Sequence, residues 1–246
     1  MEQPHEYTLV TGASSGIGEA VARRIAPAGR VILHGRDLER SQALRLGLTN
    51  PDAHLVWRQD LAGNAETAES LSGLLSGSAA VVTGFIHCAG EFRLLPVTAA
   101  DPASVLRTFQ VNYFSATAMI RVLLKKAVNR GALRAVVFVS SIASRFGARG
   151  YSTYAATKGA LDSLSRSLAA ELGPSVRVNS ILPGGIQTRG TQFLYDAGGE
   201  AKLTEGYLLG PGSTDDIAGM AEYLISDRAR WITGQQFVVD GGKTAH

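Results

Sequence analysis

Thr11-Gly12-Ala13-Ser14-Ser15-Gly16-Ile17-Gly18 joins an apolar, β-branched run at 7–11 to a helical pattern at 16–28. A glycine pattern in this strand–turn–helix context is what a dinucleotide site requires. Gly12 permits the tight turn. Gly16 lets backbone approach a pyrophosphate, which the helix N-terminus attracts, and Gly18 lets the helix lie close on the strand. Ser14, Ser15 and Ile17 sit in the same turn and are candidate contacts. Three residues separate Gly12 from Gly16, so the spacing departs from GxGxxG.

Outward from this turn, strand patterns at 30–34, 54–58, 81–87, 133–140, 176–182 and 236–239 alternate with helical patterns at 38–48, 66–75, 102–130, 152–172 and 214–225. Several strands are apolar throughout, as parallel strands covered on both faces are. The repeating β-α order predicts a single α/β domain over 1–246, a Rossmann-type doubly wound parallel sheet of about seven strands. Asp101-Pro102 is a helix start signal, and Ser213 or Thr214 is another. The least periodic stretch, 189–212, reads as a substrate-binding lid.

Composition narrows the classes. The chain has 246 residues, 24 Lys+Arg against 21 Asp+Glu, a formal charge of +3 and a single cysteine, Cys88. One cysteine forms no internal disulfide, so a stapled secreted domain is excluded. No apolar run approaches the ~18 residues of a membrane span, and the first seven residues are too polar and short for a signal peptide. A cytoplasmic location is expected. No dense basic block points to nucleic acid. The five histidines are dispersed without paired ligand spacing, so no metal site is expected. The 28 glycines call for a reason, because glycine costs backbone entropy unless a turn or ligand needs it.

Tyr154-Ala155-Ala156-Thr157-Lys158 places a tyrosine and a lysine one helical turn apart, on one face. It follows a strand ending Val139-Ser140-Ser141. Reducing a ketone takes hydride at carbon and a proton at oxygen, and tyrosine at its reference pKa of ~10 is a poor shuttle. At ~4 Å and an effective dielectric of ~20, an ammonium stabilises a phenolate by ~4 kcal/mol, or ~3 pKa units. Tyr154 is thus the candidate general acid in reduction and base in oxidation.

The ordered motifs resemble the non-extended short-chain dehydrogenases/reductases, from about Tyr7 to Gly242, and look most like bacterial 3-oxoacyl-thioester reductases. The resemblance implies catalytic roles for Asn112, Ser141, Tyr154 and Lys158. Ser141 polarises the carbonyl, Lys158 holds the nicotinamide ribose, and Asn112 holds a relay water. It implies an adenine contact at Asp60-Leu61 and close approach to the cofactor at Ala89-Gly90. It also implies a nicotinamide turn over Pro183-Gly184-Gly185-Ile186-Gln187-Thr188. His87-Cys88 stands where the family usually has two asparagines; a neutral imidazole can imitate an amide's one-donor, one-acceptor pairing.

Gly35 replaces the aspartate usual in NAD-preferring members and Arg36 follows it, so NADP(H) is the expected cofactor, with Ser14 as a further donor to the 2′-phosphate. Asp37 is expected to turn away and cap the next helix. Exchanging Gly35 for Asp together with Arg36 for Ala is expected to favour NADH.

Phe92, Phe146, Tyr151 and Phe193 are the candidate substrate contacts. The substrate implied is a 3-oxoacyl thioester, with acyl carrier protein as partner meeting Lys125, Lys126 and Arg130. The alternatives are a free ketone or alcohol (sugar, polyol, steroid or secondary metabolite) and, outside catalysis, an NADP-binding regulator. Ala170, where such reductases often carry arginine, speaks against the carrier. A homodimer or homotetramer is the expected assembly.

Overall fold

The computed structural model describes residues 4–192 and 205–245. Among them β1 (His5–Thr11), β2 (Arg30–Gly35), β3 (Leu55–Arg58), β4 (Ala80–His87), β5 (Ala135–Val139), β6 (Arg177–Pro183) and β7 (Gln236–Val239) form one sheet. Its order is β3-β2-β1-β4-β5-β6-β7, and every pairing is parallel. The chain starts in the middle, winds outward to β3, and returns past β1 to β4. Strand order therefore reverses between β1 and β4, and a crevice opens beyond their carboxyl ends. The anticipated doubly wound sheet is the one found.

The helices are α1 (Gly16–Ile25), α2 (Leu38–Leu46), α3 (Asn64–Ser76), α4 (Pro102–Phe109), α5 (Ser115–Leu123), α6 (Lys126–Asn129), α7 (Ser152–Leu172) and α8 (Thr214–Ile225). Successive strand side chains go to opposite faces. Leu9, Ile32, Phe85 and Phe138 enter the core with Leu71, Met119 and Leu161 of α3, α5 and α7. Val10, Leu33, Ile86 and Val137 enter the other core, with Val21 of α1, Leu44 of α2 and Ile217 of α8. Two covered faces explain strands without polar alternation.

Capping follows the sequence signals. The Asp37 carboxylate accepts from Arg40 N at 3.1 Å, turned along α2 as expected. Asp101 accepts from Ser104 N at 2.9 Å at the start of α4. Ser213 and Asp216 form a reciprocal capping box on α8.

Two expectations change. The helical pattern at 102–130 is not one helix: a π turn, Gln110–Phe114, separates α4 from α5, and α6 follows as a short extra turn. The supposed carrier-docking residues Lys125, Lys126 and Arg130 lie at the wrong end. They flank α6, which leads into the start of β5, and the Asn129 side chain bonds both backbone groups of Val82, early in β4. That edge is opposite the strand tips where the crevice opens. No described helix is long and apolar enough to cross a membrane, and the described residues contain no cluster able to hold a metal.

Candidate active site

Two connected clefts occupy the crevice. The narrower, of about 240 Å³, is lined by Gly12, Ser14, Ser15, Gly16, Ile17, Gly18, Arg36, Asp60, Leu61, Ala89, Gly90 and Thr188, with His34, Gly35, Glu91 and Val111. Gly12 and Gly16 have φ of +67° and +58°, a region side chains resist. A Cβ on Gly12 would stand 3.0 Å from the Ala89 backbone, and one on Gly18 would collide with the Gly12 carbonyl. The Ser15 side chain makes no capping bond, so the first-turn amides of α1, whose residues line the cleft, have no side-chain acceptor from it. A backbone stripped to this degree at a helix N-terminus fits a pyrophosphate, and the whole lining fits a nicotinamide dinucleotide. Asp60 lines the cleft while accepting from Ala62 N at 3.0 Å.

Gly35 acts differently from the reading above. A Cβ there would meet Ser41 Oγ at 2.5 Å and Ser14 Oγ at 3.0 Å. The missing side chain makes room for two hydroxyls, and Ser14 and Arg36 line the same cleft. Gly35→Asp therefore displaces Ser14 and Ser41 and does not simply exchange one ribose contact for another.

The larger cleft, of about 770 Å³, is lined by Ser141, Tyr154, Lys158, Pro183, Gly184, Ile186, Thr188, Phe92, Phe146 and Tyr151. The end of β5 and the first turns of α7 bring the reactive groups together. Ser140 Oγ donates to the Lys158 carbonyl at 3.1 Å and so ties the two elements. Ser141 is left to hydrogen-bond Tyr154. Lys158 Nζ donates to the Val139 carbonyl at 2.8 Å and stands 5.6 Å from the Tyr154 ring centre. Burial is the largest influence on both groups. It pushes the Tyr154 phenol up to about 12 despite the Ser141 hydrogen bond, and the Lys158 ammonium down to about 8. The lowered phenol expected from a nearby ammonium is not present: burial raises the phenol by more than the Ser141 hydrogen bond lowers it.

Asn112 lines neither cleft. It is fully buried behind the wall. Its Oδ1 accepts from Glu91 N at 2.7 Å, and its Nδ2 donates to the Glu91 carbonyl at 3.1 Å and to Thr157 Oγ1 at 3.0 Å. The π turn aims this amide at the loop after β4; such turns recur at functional sites.

His87 completes a directed chain. The Asn112 carbonyl, 3.3 Å away, accepts from His87 Nε2, which leaves Nδ1 to accept from the Thr11 hydroxyl at 2.9 Å. Thr11 in turn accepts from Ala89 N at 3.2 Å. Burial, then the Lys158 charge, lowers His87 to about 3, so it is neutral. The imidazole does what the sequence allowed it to do, pairing as a surrogate amide. Burial raises the Cys88 thiol to about 12, so it is no nucleophile.

The remaining walls are aromatic. Phe92 meets Tyr154 edge-on with ring centres 4.7 Å apart, and Tyr151 at 5.3 Å. Phe193 and half of the anticipated lid, 193–204, lie outside the described residues. Sequence reasoning missed Tyr207, whose hydroxyl accepts from Gly185 N at 2.6 Å, and Lys243, which crosses the Tyr207 ring at 5.4 Å. It also missed His34. That imidazole accepts from Gly12 N at 3.2 Å and donates to the Gln59 carbonyl at 3.0 Å. Its burial lowers it to about 4. Only its position before Gly35 signalled it.

Comparison with known proteins places this geometry. Residues 12–244 match a family model described as enoyl-(acyl carrier protein) reductase. The chain is 34% identical over 245 residues to L-rhamnose 1-dehydrogenase (NAD(P)(+)) of Azotobacter vinelandii, covering 95% of this chain and 94% of that one. It is 31% identical to L-xylulose reductase of Bos taurus, over 95% of this chain and 94% of the relative. Among solved structures, a gluconate 5-dehydrogenase from Burkholderia cenocepacia in complex with NADP and tartrate superposes with a TM-score of 0.89. Identity there is 25%, over 98% of this chain and 96% of that one.

Proposed function

This chain belongs to the short-chain dehydrogenase/reductase family of oxidoreductases, and we propose that it is an NADP(H)-dependent enzyme interconverting a small polyhydroxylated ketone or sugar with its alcohol. The observation that carries this is Tyr154, half-buried where the dinucleotide cleft meets an open chamber and set between Ser141 and Lys158. The nicotinamide cofactor, when bound, supplies or accepts the hydride. Tyr154 keeps its proton at rest and gives it to the carbonyl oxygen in reduction. Ser141 polarises that carbonyl. Lys158, within reach of neutral pH, replaces the proton and holds ribose hydroxyls. Asn112 holds the Gly90–Glu91 backbone in place for this, and its carbonyl retains a lone pair for the relay water that the resemblance implies.

Arg36 and Ser14 favour a 2′-phosphate, which supports NADP(H) over NAD(H). The acyl-carrier reading loses support twice. Its docking residues are at the opposite edge, and relatives by name act on rhamnose and xylulose. Within its aromatic walls the chamber offers Ser141, Tyr151, Tyr207, Arg93 and Lys243 as polar groups, which suits hydroxyl-rich substrates. An NADPH oxidation assay over tetruloses, pentuloses, sugar acids and acetoacetyl thioesters tests this. Turnover of polyhydroxylated carbonyls is expected; activity confined to carrier-bound thioesters would overturn it, and no oxidation across the panel would favour a binding-only role. Exposed Leu106, Phe114 and Trp231 support a homo-oligomer, to be checked by light scattering.

A further inference from the structure

An anion-binding cleft contains a carboxylate. Glu91 lines both clefts and its side chain is only 14% exposed. It has no freedom to leave, because Asn112 clamps its backbone at both the N–H and the carbonyl. Its charge is met entirely through one oxygen. Arg107 of α4 donates to Oε1 from Nε at 3.1 Å and from Nη2 at 2.8 Å. Arg36 Nη1, from the far side of the narrow cleft, stands 3.7 Å from the same Oε1. The second oxygen, Oε2, is buried with no hydrogen-bond partner among the described residues. Arg36 itself is 63% exposed and free to turn, whereas Arg107 is fixed by its two-point contact.

We infer that Arg107 is a specificity-determining positioning residue: by neutralising Glu91 it releases Arg36 to hold the 2′-phosphate of NADP(H). The inference rests on the NADP(H) reading of this cleft. With Arg107 present, Arg36 leaves Glu91 without stranding a charge. Without it, Arg36 is the last cation on a carboxylate that is mostly out of water. Moving it to the phosphate then leaves Glu91 unpaired beside a second anion, a combination that is strongly unfavourable. NADH makes no such demand, since Arg36 can stay where it is.

The test measures dissociation constants of NADPH and NADH for the purified protein by cofactor fluorescence, independent of turnover. R107M is expected to weaken NADPH about tenfold and NADH by less than about twofold. E91Q/R107M, with no charge left to strand, returns NADPH to within about threefold of the original protein. E91Q alone, which needs no new packing, keeps NADPH binding at least as tight as before. R107M weakening both cofactors equally, R107M leaving NADPH unchanged, or an E91Q/R107M protein as weak as R107M would each overturn the inference. If R107M fails to fold, a loss of NADPH affinity in E91Q overturns it by itself. R36A separates the two readings. Preference lost in R36A but kept in R107M defeats the role of Arg107 alone. A protein that binds NADH as tightly as NADPH removes the cofactor reading as well.

Discussion

The wall of the crevice built from the tips of β1, β2 and β4 is tied by imidazoles to backbone groups, while the facing wall leans on ring contacts and on the tail after β7. On the first wall His34 and His87 are 2% and 0% exposed, and each uses both ring nitrogens. On the second, Phe146 is 42% exposed, and Tyr207 is held by one amide and the Lys243 ammonium. The contrast separates tasks. The wall that must present backbone to a fixed cofactor is over-determined by buried hydrogen bonds. The wall proposed to meet substrate is held by contacts that can be exchanged at little cost.

Removing the Tyr154 hydroxyl gives the largest expected effect. Y154F should lower kcat by about 10²–10⁴-fold with NADPH affinity nearly unchanged; stopped-flow turnover beside fluorescence titration checks this, and normal turnover would sink the mechanism. On the first wall, R36A should weaken NADPH by about 10–100-fold, the value of charge-assisted bonds to a phosphate, and spare NADH. H87F removes the acceptor of the Thr11 hydroxyl proton and the donor to the Asn112 carbonyl in the interior. It should cost roughly 2 kcal/mol or more in urea unfolding, whereas H87N or H87Q should recover part of that.

The same wall predicts an acid sensitivity that the other lacks. His34 and His87 are held neutral in the folded protein, at about 4 and about 3, against 6.5 unfolded. The unfolded chain therefore binds protons first. Stability from these groups is complete above pH 6.5 and falls as pH drops through the window down to their folded values. The slope should be on the order of 1 kcal/mol per pH unit for each histidine, and H34Q should flatten it; an unaltered slope would show that the acid response lies elsewhere. The smallest effect belongs to the second wall. Y207F should shift KM by no more than about threefold, with the shift differing between substrates and cofactor binding unmoved.

Much of this was legible in the chain because it is written locally. The turn glycines, the caps at Asp37, Asp101 and Ser213, and the Tyr154–Lys158 pair each depend on neighbours within a few residues. The break in the long middle helix was not, since Gln110–Phe114 contains no proline or glycine. Its π turn is imposed by what Asn112 must reach across the sheet tips. Glu91–Arg107, His34 and Tyr207 were likewise silent, because an ordinary glutamate, arginine, histidine or tyrosine acquires its role only from a partner distant in sequence.

The sequence by itself determined the doubly wound sheet, the family and the candidate reacting groups, since periodicity, turn chemistry and motif spacing are properties of adjacent residues. Tertiary structure alone decided the protonation of those groups, the end of the sheet on which each charge lies, and the partner that each buried polar atom finds. Desolvation and hydrogen bonding depend on what surrounds an atom in space, and the residues that surround Tyr154, Glu91 and His87 come from opposite ends of the chain.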